Sequence, residues 1–322
     1  MGACNCKNQE TGEVQFTLED KERQSQLLTK FYQFKVTKPQ ALDTLFSEDF
    51  KFWNLGPNGV PVCGYWEGPG GYIQNYTVDV ITKKMEIYSQ EVKETYCCRN
   101  VMISVVELTF STRDPKSPWT KECFNMVSMQ IFNFEGDKIN RLYEIWADFP
   151  QDSIKLPWKM AAKYQVAKPA VLPTKSQVQA NVEKMYKARK TKGHDGVKPF
   201  YDDTTYFFLY APSFWNVSLA SRGYAALKRI ETVNLGKTFE ILEEKNRVVY
   251  VEDNISFEII TARAKSLKEG CPFKGQEYTH THLRQLFWDG AKVLKSLEII
   301  SALPLDTIPT PFTTSTTTTV SP

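Results

Sequence analysis

The chain has 322 residues, of which 42% are hydrophobic and 13% aromatic, enough for two globular domains of ordinary size. Its 40 basic residues nearly balance 37 acidic ones for a net charge of +3, without a dense basic stripe, which argues against nucleic acid as a partner. No apolar run approaches the roughly 18 to 20 residues that a membrane helix needs, and no signal peptide is evident, so the sequence predicts a cytoplasmic protein without a transmembrane segment.

Residues 1–16 are expected to form a flexible N-terminus. They contain Gly2 and Cys4, where myristate and palmitate together would anchor the protein to a membrane. Cys6 occupies a position where Ser or Thr is preferred, so a plain disordered N-terminus is the alternative interpretation. The seven cysteines lack paired metal spacing and are expected to be mostly reduced thiols.

Residues 17–150 show one succession of helix and strand patterns. A helix is predicted from Thr17 to Phe34, followed by a short helix over 39–46. An aromatic strand at 50–53 and a glycine-rich turn at 64–72 lead into a further helix that runs through Val80. Strands are then predicted over 85–88, 101–112, 122–132 and 141–147.

The same succession returns 154 residues later. Gly136-x-Lys138 and the following Glu144-Ile145 match Gly290-x-Lys292 and Glu298-Ile299, and three other separated segments agree on that offset. We therefore predict two copies of one domain, over 17–150 and 174–305. A proline-punctuated linker at 151–173 joins them, and a disordered threonine-rich tail follows over 306–322.

This order of elements, with its Gly-x-Lys-Ile turn before a last strand containing Glu144, resembles the nuclear-transport-factor-2-like superfamily. Within that superfamily it is most similar to SnoaL-like polyketide cyclases and the ketosteroid isomerase group. The resemblance implies an α+β fold: two tandem cone-shaped α+β barrels, each with three helices packed on a curved antiparallel sheet around an apolar pocket. Because many members pair sheet to sheet, it also implies an intrachain pseudo-dimer of the two domains.

The isomerase chemistry of that group can be compared position by position. Its oxyanion-binding tyrosine falls close to Tyr32 and Tyr186, and the favoured alternative is that both are core aromatics on a helix stripe. Its catalytic base falls at Asn54 and Phe208, and neither side chain abstracts a proton at neutral pH. Its second acid falls near Gln130 and Gln285, which can donate a hydrogen bond but not a proton. Ketosteroid-type isomerisation is therefore not expected.

The cyclase comparison instead points to the last strand of the first copy. There the resemblance implies an acid/base role for Asp148, and Glu144, Trp146 and Asp148 alternate onto one strand face. The second copy has lost the acid, since it reads Glu298-Ile299-Ile300-Ser301-Ala302, with Ala302 in the place of Asp148. The alternative is a solvated outer face near the end of a strand.

The second copy has a polar pattern of its own. His280 and His282 alternate with Tyr278 and Arg284 on one face of a strand, where they are candidates for a general base and a carbonyl-polarising cation. We align this face with Asn125, Val127 and Met129 of the first copy. No third histidine follows nearby, so no metal is expected, and a satisfied surface or pseudo-dimer face is the alternative.

Aromatic residues around the glycine-rich turn form the last candidate feature. Trp53, Tyr65, Trp66 and Tyr72 are predicted to line a ligand pocket with Asn54 and Trp146, although an aromatic core has the same composition. No nucleotide, nucleophile-elbow or metalloprotease motif is present, and no cofactor is expected.

Together these patterns predict binding of a hydrophobic or polyketide-like small molecule and its conversion by cofactor-free acid/base chemistry, such as cyclisation, isomerisation or hydrolysis. Asp148 is the candidate acid/base, Tyr32 and Gln130 are expected to orient a carbonyl, and Trp53 and Trp66 are expected to line the cavity. Two alternatives stay open. One is a non-catalytic ligand-binding or scaffold protein, and the other is a cofactor-free oxygenase that acts on an aromatic substrate.

Overall fold

The part of the first repeat that the structure describes has four helical segments and six strands. The structure, a computed structural model, describes residues 16–57, 62–113, 123–150, 153–154, 156–159, 169–269, 271–305 and 308–309. The elements in this repeat are α1 (Leu18–Thr37), a 3-10 helix (Pro39–Leu45), β1 (Phe46–Leu55), β2 (Gly64–Glu67), α2 (Gly68–Gly70) continuing as a π-helix (Gly71–Thr82), β3 (Met85–Cys98), β4 (Val101–Thr112), β5 (Phe124–Glu135) and β6 (Lys138–Pro150).

The second repeat has the same plan. After a short 3-10 helix (Pro157–Lys159), its elements are α3 (Lys175–Val197), a 3-10 helix (Lys198–Phe200), β7 (Tyr206–Tyr210), a 3-10 helix (Ser213–Trp215), β8 (Leu219–Arg222), α4 (Tyr224–Arg229) continuing as a π-helix (Ile230–Leu235), β9 (Phe239–Glu252), β10 (Ile255–Ser266), β11 (Glu277–Asp289) and β12 (Lys292–Pro304).

Each repeat contains one six-stranded sheet, and the two sheets have the same strand order. The orders are β2-β1-β6-β5-β4-β3 and β8-β7-β12-β11-β10-β9. The predicted tandem α+β fold is confirmed by this topology, with two corrections. The sheets are open, so they are not barrels, and they are mixed rather than antiparallel, because β1 runs parallel to β6 and β7 runs parallel to β12.

The long helix that opens each repeat begins at a capping box. Thr17 and Asp20 cap the N-terminus of α1, and Thr174 and Gln177 cap that of α3. In each box, the side chain of one residue accepts a hydrogen bond from the backbone N–H of the other. The predicted start at Thr17 is therefore correct. Gly193 interrupts α3 with φ 56° and ψ −140°, a conformation that glycine adopts without the cost of a side chain.

The sheets of the two repeats pack against each other through one apolar face each. Successive strand residues point to opposite faces, so the other face of each sheet is directed toward its own helices. Members of the shared core from both repeats are Tyr143, Ile145, Phe149, Tyr210, Phe257, Leu297 and Ile299. Aromatic pairs also cross between the repeats, with centroids 5.2 Å apart for Phe149 and Tyr210 and 5.1 Å apart for Tyr96 and Phe257.

Polar contacts also join the repeats. Gln285 Nε2 donates to Glu94 Oε2 at 2.9 Å and to the Tyr96 hydroxyl at 3.0 Å. An isolated parallel bridge connects Pro57 to Ala302.

Some predictions fall outside the described residues. These include the acylation sites Gly2 and Cys4, the rest of the N-terminal segment up to residue 15, and the threonine-rich tail apart from 308–309. Within the described part of the chain, no helix is both long and apolar enough to cross a membrane.

Candidate functional site

The interior of the first repeat, between its helices and its sheet, contains a carboxylate held by neutral groups. Glu144 on β6 is 3% exposed. Its Oε1 accepts from Gln130 Nε2 at 2.7 Å and from the Ser128 hydroxyl at 3.3 Å. Its Oε2 accepts from Asn54 Nδ2 at 3.1 Å and from the Tyr76 hydroxyl at 3.3 Å. Four neutral donors thus surround one buried carboxylate.

Two further residues extend this network. The Tyr32 hydroxyl donates to Gln130 Oε1 at 2.7 Å, and the Trp146 indole donates to Asn54 Oδ1 at 2.5 Å. Burial raises the pKa of the Tyr32 hydroxyl, and the charge of Glu144 adds to the shift. The predicted site residues Tyr32, Asn54, Gln130 and Trp146 therefore meet at Glu144. Tyr32 and Gln130 bond to each other and are not both free to orient a carbonyl.

The walls around Glu144 are aromatic. Tyr72 is fully buried, with its ring 4.8 Å from that of Phe52 and 5.3 Å from that of Tyr76. Trp66 stacks on Phe52 at 5.4 Å and lies 5.0 Å from Tyr76. Burial is the main cause that raises the pKa of Tyr76, and the charge of Glu144 raises it further. Trp66 and Tyr72 are thus placed beside the carboxylate.

Trp53 and Tyr65 do not join this wall, contrary to the sequence-based expectation. Trp53 stacks on Tyr143 at 4.6 Å and lies 4.9 Å from Tyr65, in the core shared with the second repeat. The reason is strand alternation: the flanking residues Phe52 and Asn54 face the helices, so Trp53 faces the other way.

Asp148 is the second buried carboxyl group of β6. It is fully buried, and its Oδ1 accepts from the backbone N–H of Ser213 in the second repeat at 3.3 Å. Burial raises the pKa of Asp148 to about 6, against the opposing effect of the hydrogen bonds from Ser213. Burial is the main cause that raises the pKa of the Cys63 thiol, and the charges of Asp148 and Glu144 raise it further. The two acids therefore share Cys63 as a neighbour.

The corresponding interior of the second repeat is charged. His282 Nε2 lies 2.9 Å from Glu298 Oε2, and the Ser296 hydroxyl donates to Glu298 Oε1 at 2.8 Å. Burial acts to raise the pKa of Glu298, but the opposing effects lower it to about 2, and the hydrogen bond from His282 is the largest of them. His282 is therefore bound to a carboxylate of its own repeat.

His280 lies in an aromatic pocket instead. Its ring is 4.6 Å from that of Phe239 and 6.4 Å from that of Trp215, and the Tyr278 hydroxyl is 3.4 Å from its Nδ1. Burial lowers the pKa of His280 well below its usual value, which keeps the imidazole neutral. Among the described residues, no group of three or more His, Cys, Asp or Glu side chains is arranged to hold a metal.

Arg284 takes part in an ion-pair cluster. Its Nη2 lies 2.8 Å from Glu258 Oε2, while Arg247 Nε lies 2.7 Å from Glu258 Oε1. Nearby, Arg189 pairs with Glu231 at 2.7 Å. The predicted face of Tyr278, His280, His282 and Arg284 therefore exists and is directed into the interior.

The ladder register corrects the alignment of the two repeats. Gln130 lies opposite Glu144 and Arg284 lies opposite Glu298, so the counterpart of Gln130 is Arg284. Gln285 is directed toward the first repeat. By the same register, the counterpart of His280 is Met126, not Val127, and the counterpart of His282 is Ser128, not Met129. The alignment made from sequence was off by one residue, which exchanges the faces of a strand.

Sequence reasoning did not identify three residues of the site: Tyr76, Ser128 and Ser213. Tyr76 follows Tyr72 by four residues in a helical segment, a spacing that puts both rings on one face and could have indicated it. Ser213 acts across the boundary between repeats, and no local pattern predicts that contact.

No protein-family model and no curated protein matches the chain. It is similar to solved structures described as NTF2-like, ketosteroid isomerase-like in fold, or candidate polyketide cyclase, the groups that the sequence resembles. An NTF2-like protein from Burkholderia xenovorans LB400 is 14% identical, with 40% of this chain and 92% of that chain covered at a TM-score of 0.34. A candidate polyketide cyclase from Xanthomonas campestris pv. campestris is 15% identical, with 38% and 90% covered at a TM-score of 0.32. A protein from Catenulispora acidiphila with a ketosteroid isomerase-like fold is 12% identical, with 39% and 87% covered at a TM-score of 0.30.

Proposed function

We propose that the first repeat binds a hydrophobic small molecule beside β6 and converts it by cofactor-free proton transfer, with Asp148 as acid/base. The observation that carries the proposal is the pair of buried carboxyl groups, Glu144 and Asp148, on one face of one strand. Their hydrogen-bond partners are neutral groups. Buried carboxyl groups without cations cost stability, and such groups are frequent where chemistry is performed.

The two acids would have different tasks. The pKa of Asp148 is raised to about 6, close to neutrality, where a group can both donate and accept a proton. Glu144 accepts four hydrogen bonds and would hold Asn54, Tyr76 and Gln130 in place. Tyr32 would act through Gln130 as a positioning residue. Trp66 and Tyr72 would supply apolar contacts to the ligand.

The test begins with the ligand. Small molecules extracted from natively purified protein are identified by mass spectrometry, and each is then incubated with the wild type and with Asp148→Asn. We expect turnover to fall at least about 100-fold in the variant, the usual contribution of a general acid or base. Asp79→Asn, at an acid of the same repeat whose side chain is 40% exposed, is the matched control. Equal turnover by Asp148→Asn and the wild type contradicts the role of Asp148.

A scaffold without catalysis is the second candidate, and the second repeat favours it. There the interior positions carry ion pairs, such as Arg247 with Glu258 and Arg284 with the same carboxylate. Under this alternative, extracts contain no bound compound. Capture of cellular partners is then unchanged by Asp148→Asn and Glu144→Gln, as measured by affinity purification.

The arrangement of the two repeats supports the predicted intrachain pseudo-dimer. Each repeat contributes the same sheet face to the shared core, as Ile145 of β6 and Ile299 of β12 illustrate. A second-chain partner would not then be needed to cover these faces. Size-exclusion chromatography with light scattering is expected to give the 37.0 kDa mass of one chain.

Membrane association through Gly2 and Cys4 stays a prediction. Metabolic labelling with an alkyne analogue of myristate tests it, with Gly2→Ala as the control. If the protein is cytoplasmic and anchored through its N-terminus, Gly2→Ala should lose both the label and the protein's recovery in the membrane fraction.

A further inference from the structure

The helical layer of the second repeat is much more basic than that of the first. Residues 175–237, from the start of α3 to just past the helical segment that follows α4, include 11 Lys or Arg and five Asp or Glu, a net charge of +6. The matching range of the first repeat, 21–83, includes seven and six, a net charge of +1. The whole chain has +3, so its near-balanced total conceals an uneven distribution of charge.

Several of these cations are exposed and lack an acid partner. Lys184 and Lys187 are three residues apart on α3, which puts them on one face of the helix, away from its buried stripe. Lys192, Arg229 and Lys237 are also exposed. No ion pair joins any of these five to another residue in the described part of the chain, whereas Lys190 and Lys228 beside them are paired.

The acids of the same range do not neutralise this surface. Three of the five are held by cations of their own, in the pairs Arg247–Glu183, Lys228–Asp195 and Arg189–Glu231. The other two, Asp202 and Asp203, lie in the turn before β7. Two of the three pairs, Lys228–Asp195 and Arg189–Glu231, join α4 and its π-helical continuation to α3, each at 2.7 Å. The exposed cations of α3 and α4 therefore belong to one layer.

The first repeat shows that the fold does not require such a surface. Its helical layer has exposed lysines too, such as Lys30 and Lys38. There, however, exposed acids are interspersed with them, among them Asp43, Glu48 and Asp49. One framework thus carries a mixed layer in the first repeat and a predominantly basic layer in the second.

The N-terminal end of the described chain lies beside the basic layer. Lys21, near the start of α1, and Lys175, at the start of α3, both pair with Glu252, at 3.5 Å and 2.6 Å. The 15 residues before the described chain can span up to ~50 Å when extended, whereas the 23 residues of α3 span ~35 Å. The candidate acylation sites Gly2 and Cys4 are therefore within reach of a surface that contacts α3.

We propose that the helical layer of the second repeat docks on an anionic lipid bilayer. Clusters of four to eight basic residues on a helical surface suit acidic headgroups, and each such residue strengthens binding roughly fivefold. A single acyl chain holds a protein only reversibly, and a basic patch is the second signal that makes anchoring stable. The acylation pattern favours a bilayer over nucleic acid as the anionic partner.

The proposal gives a lipid class to the membrane association predicted from Gly2 and Cys4, but the basic layer binds without acylation. Unacylated full-length protein is therefore sedimented with vesicles of phosphatidylcholine alone and with vesicles that contain about one third phosphatidylserine. We expect at least about tenfold stronger binding to the anionic vesicles. This binding should disappear when salt is raised from ~0.1 M to ~1 M, because the screening length falls from ~10 Å to ~3 Å.

A charge-matched pair of triple variants locates the binding surface. Lys184→Gln, Lys187→Gln and Arg229→Gln combined should weaken binding to anionic vesicles at least about tenfold. The control combines Lys30→Gln, Lys38→Gln and Lys84→Gln, which remove the same charge from exposed positions of the first repeat, and should change binding less than about threefold. Equal losses in the two variants would overturn the assignment to the second repeat.

Protection of lysines gives a second measurement, made on the wild type. Anionic vesicles should slow acetylation of Lys184 and Lys187 by acetic anhydride, followed by mass spectrometry, and should leave that of Lys30 unchanged. Equal binding to the two kinds of vesicle, no binding to either, or unprotected Lys184 and Lys187 would overturn the proposal. Tighter binding to duplex DNA than to the anionic vesicles would overturn the choice of a bilayer.

Acylation is separated from the basic layer by Gly2→Ala. In protein made with an N-myristoyltransferase, this variant should bind anionic vesicles as the unacylated protein does. If the wild type is not acylated, the prediction for Gly2 is wrong, and the vesicle experiments on the unacylated protein still decide the role of the basic layer.

Discussion

The close approach of Gly56 to Trp146 gives the sharpest prediction for stability. A Cβ atom on residue 56 would lie 2.2 Å from Trp146 Cε2 and 2.5 Å from Nε1, far inside contact distance. The indole cannot move away freely, because it is fully buried and donates to Asn54. In Gly56→Ala the ring must shift, so the variant loses both packing and this hydrogen bond.

The expected cost follows from these two losses. Overpacking a core costs about 1–3 kcal/mol, and the lost hydrogen bond adds about 1 kcal/mol. Gly56→Ala should therefore lower the free energy of unfolding by about 2–4 kcal/mol, measured by urea titration at pH 7. Gly70→Ala is the matched control, since a Cβ atom on residue 70 would have no other atom within 4 Å, and its stability should change by less than about 1 kcal/mol.

A double-mutant cycle identifies the cause. Trp146→Phe removes the atoms that the new methyl group would strike, so Gly56→Ala should cost at least about 1 kcal/mol less in the Trp146→Phe background than alone. The reasoning is refuted if the two substitutions add within about 0.5 kcal/mol, because the methyl group then does not collide with the indole.

Three further predictions concern polar groups. The folded-state pKa of Asp148 is raised from 3.8 to about 6. Ionisation of this group therefore lowers the free energy of unfolding of the wild type by up to ~3 kcal/mol as pH rises through that interval. In urea titrations from pH 4 to 7, the stability of Asp148→Asn relative to the wild type should rise by up to that amount. A pH-independent difference would contradict the shift. Tyr32→Phe leaves Gln130 Oε1 without its donor, and the same titration at pH 7 should show a loss of about 1–2 kcal/mol; no loss would mean that the bond contributes nothing. Glu258→Gln removes the carboxylate between two arginines and should cost about 3 kcal/mol, whereas Arg263→Ala, at an exposed ion pair, should cost under about 1 kcal/mol; similar costs would contradict the burial argument.

Local patterns were sufficient to predict the repeat and its helices. The offset of 154 residues implied two copies, and the capping pattern at Thr17 placed the start of α1. Strand β3 was predicted as a shorter piece, at 85–88, and β9 is its counterpart in the second repeat. Both lie at sheet edges with largely exposed charged residues, where the alternation of apolar and polar residues fades.

The site was less predictable because it depends on register and on distant contacts. A shift of one residue exchanged the faces assigned to β11, and the side of β1 occupied by Trp53 was assigned wrongly for the same kind of reason. The environment of Asp148 depends on Ser213, 65 residues away in the other repeat. Sequence patterns report neighbours on one helix or strand, and they carry no signal for such a pair.

The facing sheets of the two repeats have a consequence for how this protein can vary. In a dimer of identical chains, every amino-acid change occurs twice, once on each side of the interface. Here the two halves are encoded separately, so Gln130 in one half can coexist with Arg284 at the matching position of the other. Because the two repeats are covalently linked parts of one chain, one repeat can keep neutral groups around an acid while the other carries arginines. A change in one repeat does not alter the sequence of the other.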